Sequence, residues 1–345
     1  MAVSPVQATA SAAAGRNVFA DLKAVRGAVL QEIRKVIVGQ EQAVNNVLTA
    51  MFAGGHCLIQ GPPATAKTAL VAMLAQVMAL DFKRIQFAPD LMPSDISGTE
   101  ILEEDHTTGK RFVKFVKGPV FTNLLMADEI NRTPPKTQAA LLEVMQEKQV
   151  TIGGQTMMLP KPFFVLATLS SMEQEGSYNL PEAQQDRFML SITMDYLSAE
   201  QEVTVVRQST GAKKVELAKV IGGEDMVRFA NAIRSVKLPP ELGKYIVDIV
   251  ASSRPNDPGA PDFVKEYISW GAGLRASQNI ALASKSVAAQ DGRDTVALND
   301  IRQVLTPVLR HRIGLAFSAD VDHVTAENLV ERLIKTVPAP TGSHA

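Results

Sequence analysis

Residues 56–70 read HCLIQGPPATAKTAL: a short apolar run, a loop of small residues and prolines, then Lys67-Thr68 opening an apolar helix. This is the layout of a phosphate-binding loop. Backbone N–H groups close around phosphate oxygens there, a lysine reaches the β- and γ-phosphates, and a hydroxyl ligates Mg2+. The loop comprises Gly61, Pro62, Pro63, Ala64, Thr65, Ala66, Lys67, Thr68 and Ala69, and it predicts ATP with Mg2+ as ligand. Its pattern departs from G-x-x-x-x-G-K-[ST] at Ala66, which replaces the second glycine. Alanine tolerates positive φ poorly, so either position 66 is already helical or the loop is strained.

A second motif supports the first. Residues 123–132 read NLLMADEINR, an apolar run that predicts a buried strand with Asp128-Glu129 at its carboxyl end. In an open α/β sheet, ligands bind outside the carboxyl ends of the strands. Asp128 is expected to hold Mg2+ together with Thr68, and Glu129 to polarise a water. The loop itself lies between a strand, 57–60, and a helix whose N-terminal dipole favours anions. A chance K-T after small residues and a chance D-E at a strand end compete with this reading, and their occurrence in order disfavours chance.

Composition bounds the rest. A chain of 345 residues, 46% apolar and 21% charged, is globular and long enough for two domains. Lysine and arginine total 35 against 36 acidic residues, a net charge of −1, so no global field favours nucleic acid or anionic membrane. Cys57 is the single cysteine, which excludes an internal disulfide. Neither an 18-residue apolar run nor a signal peptide occurs, and a cytoplasmic protein is expected.

Along the chain, residues 1–16 are alanine- and serine-rich and are expected to be a disordered leader. Val18, Leu22, Val25, Val29, Ile33 and Val36 form a helical stripe over 17–36. The segment VIVGQ, 36–40, with Val38 and Gly39, either lies against an adenine or is a plain interhelical turn. Strands are expected at 84–87, 162–169 and 188–194, and hairpins at 100–116 and 149–159, the latter turning on Gly153-Gly154. Lys110, Arg111, Lys114 and Lys117 read better as a solvated hairpin face than as a nucleic-acid patch, because no stacking platform accompanies them beyond Phe112 and Phe115. Strands alternating with helices imply a parallel α/β sheet. Past Tyr196 the period turns helical, from a capping box at Ser198 and Gln201 through helices at 198–209, 224–235, 240–253, 272–290, 299–310 and 325–337. The expected division is a nucleotide-binding domain over 17–196, an all-helical lid over 197–337 and a tail over 338–345.

With these residues laid out, the chain resembles the MoxR branch of the AAA+ ATPases from about residue 20 to residue 320. The match is carried in order by RIQFAPDLMPSDISGTEI, KGPVFTNLLMADEINRTPPKTQAALLEVMQE, PFFVLAT, MEQEGSYNLPEAQQDRF and GAGLRAS. The resemblance implies a P-loop AAA+ domain, a parallel sheet sandwiched by helices, followed by a helical lid. It further implies that both hairpins face the centre of a six-membered ring, that Arg187 is an arginine finger for a neighbouring subunit, and that Arg275 is the sensor 2 residue. Without the resemblance, each arginine reads as an ordinary ion-pair residue. Two departures stand out: Ala64 replaces the middle glycine of the loop, and Ser170 stands where sensor 1 carries asparagine.

The function so implied is a homo-oligomeric, chaperone-like ATPase ring that remodels or activates a partner protein, with a von Willebrand A domain protein as client class. Ala64 and Ser170 motivate an alternative, a nucleotide-gated scaffold with very slow hydrolysis. A DNA-acting motor is disfavoured by charge.

Overall fold

The computed structural model describes residues 18–104, 111–169, 178–211 and 215–340. Two helices, α1 (Val18–Arg34) and α2 (Glu41–Ala53), precede β1 (Cys57–Gln60), and α3 (Lys67–Val77) leads to β2 (Phe82–Gln86). The one-turn α4 (Pro93–Ser97) opens a hairpin of β3 (Gly98–Glu104) and β4 (Arg111–Lys117). Then come β5 (Leu124–Asp128), α5 (Pro135–Glu147), the hairpin β6 (Gln149–Ile152) and β7 (Gln155–Met158), β8 (Phe164–Thr168), α6 (Glu182–Gln185) and β9 (Leu190–Thr193). Gly153 and Gly154 at φ +58° and +78° make the two-residue β6–β7 turn, which needs positive φ at both positions.

Five strands form one parallel sheet in the order β2-β5-β8-β1-β9. Parallel strands buried on both faces should be apolar throughout, as LLMA in β5 and FVLA in β8 are. One apolar cluster covers one face, from Phe52 and Leu70 to Leu166. The second covers the other face, with Leu58, Phe87, Val165 and α5 residues Leu141 and Leu142. Because all five strands run the same way, the loops after β1, β5 and β8 emerge at one edge of the sheet.

The remaining elements are α7 (Ala199–Ser209), α8 (Gly223–Arg234), α9 (Pro240–Ser252), α10 (Asp262–Tyr267), β10 (Ile268–Trp270), α11 (Leu274–Gln290), α12 (Leu298–Leu309), β11 (Gly314–Leu315), α13 (Phe317–Val321) and α14 (Ala326–Thr336). The expected capping box is present: Ser198 Oγ accepts from the Gln201 amide while Gln201 Oε1 accepts from the Ser198 amide at 3.0 Å. Among the described residues this region is helical apart from the short antiparallel β10–β11 pair, and two short helices, α10 and α13, join the six read from periodicity. Its core is continuous with that of the sheet: Tyr245, Ile280, Leu305 and Leu333 belong to the same cluster as Phe52 and Leu166. No helix among the described residues is long and apolar enough to cross a membrane.

Candidate functional site: a phosphate loop over two strand-end carboxylates

The loop between β1 and α3 frames a cavity of about 600 Å3, lined by Gly61, Pro63, Ala64, Thr65, Ala66, Lys67, Thr68 and Ala69 on one side. Asp128, Glu129, Arg132, Thr168 and Leu169 line the other. Gly61 takes φ +141°, and a Cβ there would collide with the Met194 carbonyl, so the first glycine is required by backbone approach as well as by φ. Thr65 Oγ1 donates to Pro62 O at 3.0 Å, and Lys67 Nζ donates back to Gly61 O, which closes the loop on itself. Of the two readings of Ala66, strain is the outcome: it sits at φ +63° and ψ +22°, ahead of the first helical residue, and Ala64 is left-handed too, at φ +64°. Burial draws the Lys67 ammonium below its ordinary pKa, while Asp128 and Glu129 oppose that.

The two carboxylates are placed by neighbouring strands. Thr168, at the end of β8, donates from Oγ1 to Asp128 Oδ1 at 2.6 Å and accepts the Glu129 N–H at 2.8 Å, so one hydroxyl fixes both residues. Glu129 itself is left-handed, at φ +57°, which turns the chain sharply out of β5 into a 3-10 turn over Ile130–Arg132. Its Oε2 accepts from Gln86 Nε2 and from Arg132 Nη1, each at 2.9 Å. On the Asp128 side, Arg84 reaches Oδ2 with Nε at 3.1 Å and Nη2 at 2.5 Å.

Beside the loop lies a second cavity of about 270 Å3, lined by Val36, Ile37, Val38 and Gln40, by Ala64, Thr65 and Ala66, and by Asp195 to Leu197 with Glu202, Val205 and Val206 of α7. The polar and apolar cavities thus share the loop residues 64–66. One cavity carries the Lys67 cation and the other is lined by Val36, Val38, Val205 and Val206. Val38 lines the apolar cavity, but Gly39 does not: at φ +73° it packs against the Gln201 side chain, while Gln40 Nε2 donates to Asp195 O at 2.8 Å. Pro62 lines neither cavity.

The two arginines lie elsewhere. Neither Arg187 nor Arg275 lines the 600 Å3 cavity. Arg275 Nη1 donates to Asp186 Oδ2 at 2.7 Å, the ordinary ion-pair alternative, and the buried Arg312 donates to Asp186 Oδ1 at 2.7 Å from the end of α12. Arg312 also donates to the carbonyls of Asp186, Phe188, Met189 and Val308, so the lid grips the chain on either side of Arg187. No ion pair forms on Arg187 among the described residues. Ser170 lies outside the described residues.

The donor set suits Mg2+ arriving with a nucleotide. Among the described residues no cluster of three or more His, Cys, Asp or Glu side chains could hold a metal alone. A hydroxyl and a carboxylate in one cavity are what Mg2+ uses when phosphates and waters supply the remaining ligands. Sequence reading missed Thr168, Arg84, Gln86 and Arg132. The signal for two of them was present: in RIQ, period 2 puts Arg84 and Gln86 on one face around the buried Ile85.

The family model described as ATPase family associated with various cellular activities (AAA) matches residues 56–190, and one described as AAA lid domain matches 262–333. The chain is 40% identical to Chaperone MoxR1 of Mycobacterium tuberculosis over 310 residues, 90% of this chain and 81% of that protein. Similarity to YeaC of Bacillus subtilis is 36% over 326 residues, 94% of this chain and 98% of that one. A crystal structure from Cytophaga hutchinsonii superposes with a TM-score of 0.86 at 40% identity, covering 94% of this chain and 97% of the other. A strand-end Asp-Glu pair beneath a phosphate loop, a helical lid, and relatives matched over most of their length lead to one assignment: the chain belongs to the MoxR branch of the AAA+ ATPases.

Proposed function

We propose that this chain is a Mg2+-dependent ATPase that assembles as a six-membered cytoplasmic ring and uses ATP binding and hydrolysis to remodel or activate a partner protein. The client class is a protein with a von Willebrand A domain. The observation that carries the reading is the meeting of two cavities at residues 64–66, with Lys67 and the Asp128-Glu129 pair in the polar one. Lys67 and the loop amides would offset phosphate charge, Thr68 and Asp128 would hold the metal, and Glu129 would accept a hydrogen bond from the attacking water, orienting and polarising it. Bound Mg2+ supplies charge neutralisation on the β- and γ-phosphates. Arg187, without an ion pair among the described residues, serves the neighbouring subunit, and Arg275 serves its own nucleotide after leaving Asp186.

A second reading, a nucleotide-gated scaffold with very slow hydrolysis, is favoured by one observation: Glu129 Oε2 is already engaged twice, by Gln86 and by Arg132. Mixing separates the two. Arg187→Ala retains its loop and Lys67→Ala retains its finger, so a ring of both has some complete interfaces and recovers phosphate release. A mixture as inactive as its components, with mixed rings seen by native mass spectrometry, refutes the in-trans finger and returns Arg187 to a structural role.

A further inference from the structure

Asp128 is already occupied by a cation. Its Oδ1 takes the Thr168 hydroxyl at 2.6 Å, and its Oδ2 takes both Nε and Nη2 of Arg84. Arg84 comes from β2, the edge strand, where it pairs in register with Met126, two residues short of Asp128, so its side chain runs forward along the sheet to reach the carboxylate. The same Nη2 also donates to Gln86 Oε1 at 2.8 Å, and Gln86 in turn donates to Glu129 Oε2. One guanidinium is therefore bonded directly to the metal-site carboxylate and, through one amide, to the water-polarising carboxylate. The Arg84 side chain is 46% exposed against 13% for Asp128, so it can leave into solvent without unpacking the sheet.

We infer that Arg84 is a stand-in cation for the metal site. It neutralises Asp128 before metal and nucleotide bind, it is displaced by like-charge repulsion when they do, and its departure takes a donor from Gln86 Oε1, loosening the hold on Glu129. Arg84 is a positioning residue in this scheme, acting on Asp128 and Glu129 without touching phosphate. The inference rests on nucleotide and Mg2+ binding at Gly61–Thr68.

The test is calorimetric binding of ADP at saturating Mg2+ and in EDTA, with no turnover involved. A partly exposed pair of this kind is worth a factor of about two to five in an equilibrium constant. In Arg84→Gln the affinity at saturating Mg2+ should rise by that factor, and the ratio of the EDTA to the Mg2+ dissociation constants should rise with it. Arg84→Lys keeps the charge but not the forked donors, and its ratio should fall between those of the wild type and Arg84→Gln. A ratio that is unaltered in Arg84→Gln, or an affinity that falls at saturating Mg2+, overturns the inference, the latter by making Arg84 a phosphate ligand. If the wild-type chain binds ADP under neither condition, the nucleotide-site reading fails and this inference with it; Mg2+-enhanced binding in the wild type with an unaltered variant removes this inference alone.

Discussion

Replacing Ala66 with glycine should stabilise this chain, against the usual effect of glycine. Ala66 sits at φ +63° and ψ +22° and Ala64 at φ +64°. A left-handed L-residue carries a penalty of about 1–2 kcal/mol relative to the right-handed conformation. Glycine removes that penalty but adds chain freedom to the unfolded state, which takes back about 0.5–1 kcal/mol. The net is a gain of about 0.5–1 kcal/mol at each position. Ala69, three residues on and inside α3, has the opposite prospect: glycine there should lose about 1 kcal/mol. Urea unfolding of nucleotide-free protein reads all three, with the gain appearing as a higher midpoint at constant slope. If Ala66→Gly destabilises by as much as Ala69→Gly, the loop is not left-handed at 66 and the strain reasoning is refuted.

Two further outcomes are expected. His56 is fully buried, accepting the Val165 N–H at Nδ1, and burial, aided by Lys148, lowers its pKa to about 4. Its folded value lies below the ordinary 6.5, so the unfolded chain takes the proton first; stability is flat above about pH 6.5 and falls by up to about 3 kcal/mol towards pH 4. His56→Gln should remove that dependence in unfolding curves measured at pH 7 and pH 4.5, and an unchanged pH slope would exclude His56 as its source. Ser170→Asn restores the amide expected at sensor 1 and should raise phosphate release by about one to two decades, the worth of one hydrogen bond in a closed site; a fall on that change would make serine the better residue.

The parts of this fold that are local in sequence were readable in advance, and those that depend on sheet order were not. The phosphate loop, the apolar run ending in Asp128-Glu129 and the Ser198 capping box each declare themselves within about ten residues, because turn chemistry and strand periodicity act at that range. Periodicity puts this strand at 84–87, against the observed Phe82–Gln86, because FKRIQF alternates weakly, with Lys83, Arg84 and Gln86 all exposed on an edge strand. β10 and β11, three and two residues long, are too short to show any period; they exist because Ile268 pairs with Leu315 and Trp270 with Gly314 across the lid. The grip of Arg84 on Asp128 and of Arg312 on Asp186 joins residues far apart in the chain, and no local pattern encodes which strand lies beside which. The segment VIVGQ is open between an adenine contact and a plain turn; Gly39 takes the turn, its positive φ packed on Gln201, while Val38 and Gln40 line the second cavity.

The central claim, that Asp128 and Glu129 beneath the loop form a hydrolytic ATP site, is tested most directly by Glu129→Gln. Glutamine preserves size and the partners Gln86 and Arg132 but removes the charge that polarises the water. ATP affinity by calorimetry in the presence of Mg2+ should stay near the wild-type value, while steady-state phosphate release should fall by about 10²–10⁴-fold. Turnover by Glu129→Gln equal to that of the wild-type protein, at equal ATP occupancy, would contradict the site as described.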